Sequence, residues 1–236
     1  MSQLTQNPPT DAGIVDSNWK SLYKFGGATA LAVLVFIPIQ MIVFFAWPPP
    51  STVTGWFTLF QDNAFVGLLD MDLLLIVDYA LMGMVFLALW AALRRASQSF
   101  MTMALTLELI GVATYFASTA AFEMLSLSNH YAAATTDSER SIFLAAGQGM
   151  LATWQGTAFN VSYILGAIAL LIVSIVMVRS HVFSKTIAYV GILASVLMFV
   201  PPTAGTIGIF FSLISLVPTV IWLILIARRL FQLGRL

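Results

Sequence analysis

An all-α, polytopic membrane bundle is the fold this sequence predicts, and three observations carry it. The chain of 236 residues is 60% hydrophobic and only 8% charged, against about 25% charged in ordinary soluble domains. Six apolar stretches approach the roughly 20 residues needed to cross about 30 Å of hydrocarbon. Nine of the 10 basic residues then fall on one side of a six-span arrangement. Ten acids and ten bases cannot clothe a soluble core of this size, so lipid must solvate most of the surface.

The elements follow in chain order. The N-terminal "MSQLTQNPPTDAGIVDSNWK" lacks the basic-then-apolar order of a cleavable signal. Residues 1–19 are therefore read as a retained polar cytoplasmic tail, and 20–236 as one transmembrane domain. The first span is Phe25–Trp47, interrupted by Pro38. In "TGWFTLFQDNAFVGLLD" the residues Trp56, Phe57, Phe60, Ala64 and Leu68 share an apolar side opposite Gln61 and Asp62, the pattern of an interfacial helix. Leu73–Leu93 and Phe100–Leu125 are the second and third spans. In "TTDSERSIFLAAGQGML", Thr136 with Glu139 forms a capping-box pattern that starts a second outer amphipathic helix toward Trp154. Ala158–Val178 and Ile207–Ala227 are plain spans. Phe183–Val200 between them is short and ends at Pro201-Pro202; it is counted as a span with Lys185 snorkelling at its inner end, against a re-entrant hairpin.

Charge sets the orientation. Lys20, Lys24, Arg94, Arg95, Arg179, Lys185, Arg228, Arg229 and Arg235 lie on one side, and Arg140 alone on the other. The positive-inside rule makes both termini cytoplasmic. The six tryptophans, Trp19, Trp47, Trp56, Trp90, Trp154 and Trp222, each lie near a predicted boundary, as an interfacial belt requires.

Acids inside the spans are the unusual feature. "LLDMDLLLIVDYALMGM" carries Asp78 within the second span, with Asp70 and Asp72 at its edge, and the third span carries Glu108. A mid-membrane carboxylate costs around 3 kcal/mol on insertion scales. No Lys, Arg or His lies within a predicted span, so protonation, hydrogen bonding or an exogenous cation must compensate. Asp78 is sixteen residues from Arg94, or about 24 Å from the inner boundary. Gln40, Tyr115, Tyr163 and Ser212 reach the same level by similar counts, whereas Glu108 lies lower. At about 100° per residue, Glu108, Gly111, Tyr115, Thr119 and Glu123 form one stripe along the third span, and Asp70 shares a face with Asp78. Asp78, Glu108, Tyr115, Gln40, Tyr163, Asn160, Glu123 and Asp70 are the candidate site residues. Two readings stand beside each other: a polar cavity opening outward, or neutral inter-helix glue at about 0.6 kcal/mol per contact.

Several functions are excluded. Zero net charge argues against nucleic acid. The absence of cysteine removes disulfides and thiolate metal sites. His130 and His181 lie in loops on opposite sides, so neither a bis-histidine haem nor a multi-histidine zinc site forms in the bundle. No cofactor is expected. No nucleophile–base pair is visible within the membrane, so an enzyme ranks third. Binding or passage of a small cation, proton or amphiphile ranks first. An accessory subunit or homo-oligomer packing through Gly205, Gly208 and Ser212 ranks second.

"LLDMDLLLIVDYALMGMVFLALWAALRR" resembles the acidic second span and basic exit of an uncharacterised bacterial multi-pass family, domain of unknown function 4386. "GTAFNVSYILGAIALLIVSIVMVRSHVFSKTIAYVGILASV" resembles its tyrosine-containing span, Arg-Ser exit and following glycine-bearing span. The likeness covers roughly residues 25–230; Ser184-Lys185 stand where the family usually has proline and a basic residue. The resemblance implies a multi-pass protein of a prokaryotic plasma (inner) membrane and carries no activity.

Overall fold

The computed structural model describes residues 16–235. The predicted tail lies outside these residues up to position 15; its last part forms a 3₁₀ turn, Ser17–Trp19. Ten α-helices follow: α1 Lys20–Ala46, α2 Val53–Asp62, α3 Ala64–Asp70, α4 Leu73–Leu93, α5 Gln98–Ser118, α6 Ala121–Ala133, α7 Asp137–Trp154, α8 Thr157–Arg179, α9 Lys185–Leu197 and α10 Gly205–Leu233. No strand occurs among the described residues, consistent with a solvent that cannot satisfy an open sheet edge.

Five stretches are long and apolar enough to cross a membrane: α1, α4, α5 continued by α6, α7 continued by α8, and α10. Helix α9 has 13 residues and so spans about 20 Å, short of the roughly 30 Å of hydrocarbon. Packing closes a ring. Helix α1 contacts α4, α4 contacts α5, α5 contacts α8, α8 contacts α9, α9 contacts α10, and α10 returns to α1. Large apolar side chains cover the outside of the ring, as Leu31, Val35, Ile39 and Ile42 on α1 show, and as Phe210, Ile214, Val217 and Ile221 show on α10. Spacings of three and four give each helix an apolar outer stripe.

The two ends are built differently. At the basic end the Arg94 guanidinium lies 5.2 Å from the ring centres of both Trp19 and Trp90, and bonds the Asp16 carboxylate at 2.9 Å. The Asn18 N–H above all, with Arg94 and Arg95, holds the Asp16 carboxyl below its ordinary range against a smaller opposing effect of burial. At the other end α2, α3, α6 and α7 form a cap with its own core of Trp56, Phe57, Phe60, Met71 and Met124. The Thr136 capping box is formed, with Glu139 N–H on Thr136 Oγ1 at 3.2 Å and the Glu139 carboxylate accepting from the Thr136 N–H at 3.3 Å.

The expected elements are corrected in four places. The interfacial helix of residues 55–69 is two helices, because Asn63 adopts extended backbone and its side chain caps Val66 at 3.1 Å. The third span ends at Ser118: Ser118 and Thr119 hydroxyls bond back to the carbonyls of Tyr115 and Phe116, and Thr119 turns extended. Such back-bonding competes with helix continuation. Trp222 is no belt residue but is fully buried. Gly208, expected to face a partner, packs under the carbonyls of Pro201 and Pro202 of its own chain, and Ser212 bonds Tyr163.

Helix contacts near the basic end depend on small residues that let backbones approach closely. A β-carbon on Gly26 would collide with Ala88 and stand 3.4 Å from Leu230, whereas one on Gly149 meets nothing within 4 Å. Gly26→Leu is therefore expected to destabilise the α1–α4–α10 junction by about 1–3 kcal/mol or more. Gly149→Ala is expected to be neutral or slightly stabilising. Thermal unfolding in detergent measures both, and an unchanged Gly26→Leu protein would contradict this packing.

Candidate functional site

A cavity of about 220 Å³ lies inside the helix ring, lined by residues of α1, α4, α5, α8 and α10 and by Met198 after α9. Its α4 wall is Leu75, Asp78, Tyr79, Met82 and Phe86, a set whose spacing keeps one helix face inward. The neighbouring Val77 is exposed on the outer side. On α5, Glu108 turns inward while Leu109 and Ile110 are exposed. Both acids thus face the same interior from adjacent helices.

Two glycines keep this space open. Gly166 of α8 stands opposite Glu108; a β-carbon there would sit 3.8 Å from Glu108 Oε2. Gly111 lets α5 approach α8, since its β-carbon would stand 3.3 Å from the Ser162 carbonyl. Larger side chains at either position would intrude on the cavity.

The predicted partners of Asp78 are engaged elsewhere. Gln40 Nε2 donates to the Leu69 carbonyl at 3.2 Å, and Tyr163 shares a 3.2 Å hydrogen bond with Ser212. The Tyr115 ring stacks on Tyr79 at 3.7 Å between centroids and 1° between planes. Asp78 Oδ1 is buried without a hydrogen-bond partner among the described residues. Glu108 is also buried. No Lys, Arg or His lines the cavity. The Trp222 ring also lines this interior, and its Nε1–H is buried without an acceptor among the described residues.

A second polar group lies under the cap. Asp72 begins α4 with φ 71°, in the left-handed region that Asp tolerates better than most residues. This kink separates Asp70, on α3, from the helix of Asp78, so the single face expected for the two does not exist. Trp154 Nε1–H donates to Asp72 Oδ2 at 2.5 Å. The Tyr115 hydroxyl approaches the same carboxylate but meets no acceptor at full hydrogen-bond geometry. Burial pushes the Asp72 carboxyl up to about 7, against the pull of Trp154 and Tyr115. Asp70 is completely buried, and neither of its carboxyl oxygens has a donor among the described residues. Burial first, and the Asp72 charge second, push it up to about 7 as well.

The remaining candidates lie apart from the cavity. Glu123 is exposed in an open groove between α6 and α7, because the helix break after Ser118 removes it from the Glu108 stripe. Asn160 ties the start of α8 to the turn before α10: its Nδ2 donates to the Gly156 carbonyl at 2.9 Å, and its Oδ1 accepts from Thr203. Sequence reading missed Tyr79, Asp72, Trp154, Thr219 and Trp222. Tyr79 directly follows Asp78, about 100° further round the helix, and the interior is wide enough to take both.

Among the described residues no three His, Asp or Glu side chains gather to hold a metal ion. The donor set is two carboxylates amid aromatic and aliphatic walls, which can accept hydrogen bonds from a cation or neutral donor. No protein-family model matches this chain, and no curated protein or solved structure does either.

Asp70 gives a pH signature. Its folded carboxyl titrates near 7, against 3.8 as the ordinary value. The folded state therefore holds more protons than the unfolded state between these values, and stability falls as pH rises through that window. Thermal unfolding temperature in detergent should decline from about pH 4 to pH 7 and then level. Asp70→Asn should flatten part of that slope; an identical slope in the variant would contradict the buried environment.

Proposed function

We propose that the chain is a six-span protein of a prokaryotic plasma membrane that binds or passes a small cationic or amphiphilic ligand through its central cavity. The observation that carries the reading is the pair Asp78 and Glu108, on different helices, facing one cavity that holds no basic residue. A carboxylate in hydrocarbon is costly unless paired, and packing it against a donor would offset that cost. An incoming cation would supply the missing charge.

The six-span topology draws support from contacts at the basic end of the ring. Arg229 Nε donates to the Val182 carbonyl at 2.7 Å just before α9, and Gly234 after α10 lies against Lys24 at the start of α1. An α9 that starts and an α10 that ends at the same basic end support a crossing between them, completed by the non-helical stretch Met198–Ala204. Basic residues cluster at this end, which the positive-inside rule makes cytoplasmic. The likeness to the bacterial multi-pass family is part of the same proposal and adds to fold alone.

Reporter fusions after Arg95, Lys185 and the C-terminus should all report a cytoplasmic location; a C-terminus found outside would remove the crossing at α9. Gentle purification followed by native mass spectrometry tests the ligand itself. The expected result is a retained small molecule that is lost in the folded double variant Asp78→Asn/Glu108→Gln. A stoichiometric protein subunit with no small molecule would instead favour an accessory role.

A further inference from the structure

Resting on the cavity reading above, we infer that the ligand is a protonated lipophilic amine, a single apolar ring with a short ammonium arm, which reaches the site sideways from the bilayer. Three features of the cavity define this chemistry. Asp78 and Glu108 offer carboxylate acceptors from two walls, and Asp78 Oδ1 is buried without a donor among the described residues. Aromatic side chains stand on several sides, Tyr79 and Phe86 from α4, Tyr163 from α8 and Trp222 from α10. Such faces attract a desolvated ammonium and pack an apolar ring. The rest of the lining is mainly aliphatic, including Val33, Leu170 and Leu216, so an inorganic ion would leave most of it without contact.

Volume sets the size. The cavity of about 220 Å³ is smaller than the roughly 300–1,000 Å³ of sites for drug-sized ligands. It admits one ring with a short arm, and excludes peptides and diacyl lipids.

The route follows from the short α9. It starts at the basic end, packs on both α8 and α10, and with 13 residues covers about 20 Å of the depth. In the capped half, α8 is tied to α10 and its preceding turn by the Tyr163–Ser212 and Asn160–Thr203 hydrogen bonds. Tyr163 itself lines the cavity, so this seam borders the site. Beside it the first turns of α10 expose Ile207, Ile209, Phe210 and Leu213 on more than one side, a surface wetted by acyl chains. The aqueous end is covered instead by the cap, where Trp154 closes on Asp72 and Tyr115 stacks over Tyr79. A ligand entering through such a seam must partition into lipid, which an amine with an apolar ring does and a hydrated metal cation does not.

Equilibrium binding of radiolabelled phenethylamine to the full-length protein in nanodiscs tests this, with empty nanodiscs subtracted. Saturable binding is expected, displaced by unlabelled phenethylamine but not by equal concentrations of 2-phenylethanol or sodium ion. Asp78→Asn/Glu108→Gln should weaken it about ten- to hundred-fold, the loss of charge-assisted hydrogen bonds. Gly166→Leu, which keeps both acids and fills the space before Glu108, should also abolish it, so the test does not depend on the acid variant folding. Equal displacement by 2-phenylethanol would make the ligand a neutral amphiphile. Displacement by sodium, with no preference for the amine, would make it an inorganic cation. Either result overturns the amine while leaving the cavity as a binding site. Absence of saturable binding by all three probes, each tested directly, would overturn the amine and the cavity reading together.

Discussion

Hydrocarbon offers no hydrogen bonds, and this constraint organises the molecule from its backbone to its site. Every regular element described is helical, the arrangement that satisfies backbone groups within one segment. Helix breaks occur at Asn63, Asp72 and Thr119–Ala120, in or beside the cap, where other side chains supply partners. The same constraint drives Asp78 and Glu108 inward. Their neighbours Val77, Leu109 and Ile110 occupy the lipid-facing surface, and no position on that surface could hold a carboxylate at comparable cost.

The ring needs two closures because a six-helix barrel of side chains has two ends. The basic end is closed by charge and aromatic contact: Arg94 lies over both Trp19 and Trp90, which meet edge to face, while reaching Asp16. A guanidinium suits this position because it stacks and hydrogen-bonds at once. The opposite end is closed by a small apolar core under four short helices, in which Trp56 and Phe57 are buried as they would be in a soluble domain. Asp72 joins that cap to the ring, since it starts α4 and holds Trp154 at the end of α7. The cap therefore does more than connect spans; it fixes the top of the wall that carries Asp78.

Elements whose boundaries depend on length, apolarity or local capping were legible in the sequence. Leu73–Leu93 is helix α4 residue for residue, and Thr136 with Glu139 forms the expected capping box. Depth counting also placed Tyr163 and Ser212 at one level, and the two hydrogen-bond across the bundle. What failed were relations set by tertiary context. The end of α5 carries no Pro or Gly, so nothing in the periodicity separates Glu123 from Glu108. Gln40 was at the right depth for Asp78, yet a backbone carbonyl freed by the α3–α4 kink takes its amide instead. Trp222 lies six residues from Arg228, a spacing that resembles a membrane boundary, because α10 continues to Leu233 beyond the apolar stretch.

The choice between packing glue and a binding site turns on what surrounds the acids rather than on their presence. Inter-helix hydrogen bonds in membranes average about 0.6 kcal/mol, so glue offsets only part of an insertion cost of around 3 kcal/mol, and does so only if the acids are bonded. Asp78 Oδ1 has no partner among the described residues, while Gln40, Tyr115 and Tyr163, all within the same layer by sequence, satisfy or stack on other groups. Filling the interior with Leu or Ala at these positions would remove the cost altogether. Gly166 does the reverse, leaving room directly before the Glu108 carboxyl. Open space and two buried acids each lower the stability available from close packing. Their coincidence in one cavity is the arrangement expected when stability is given up to hold a ligand that brings the missing charge.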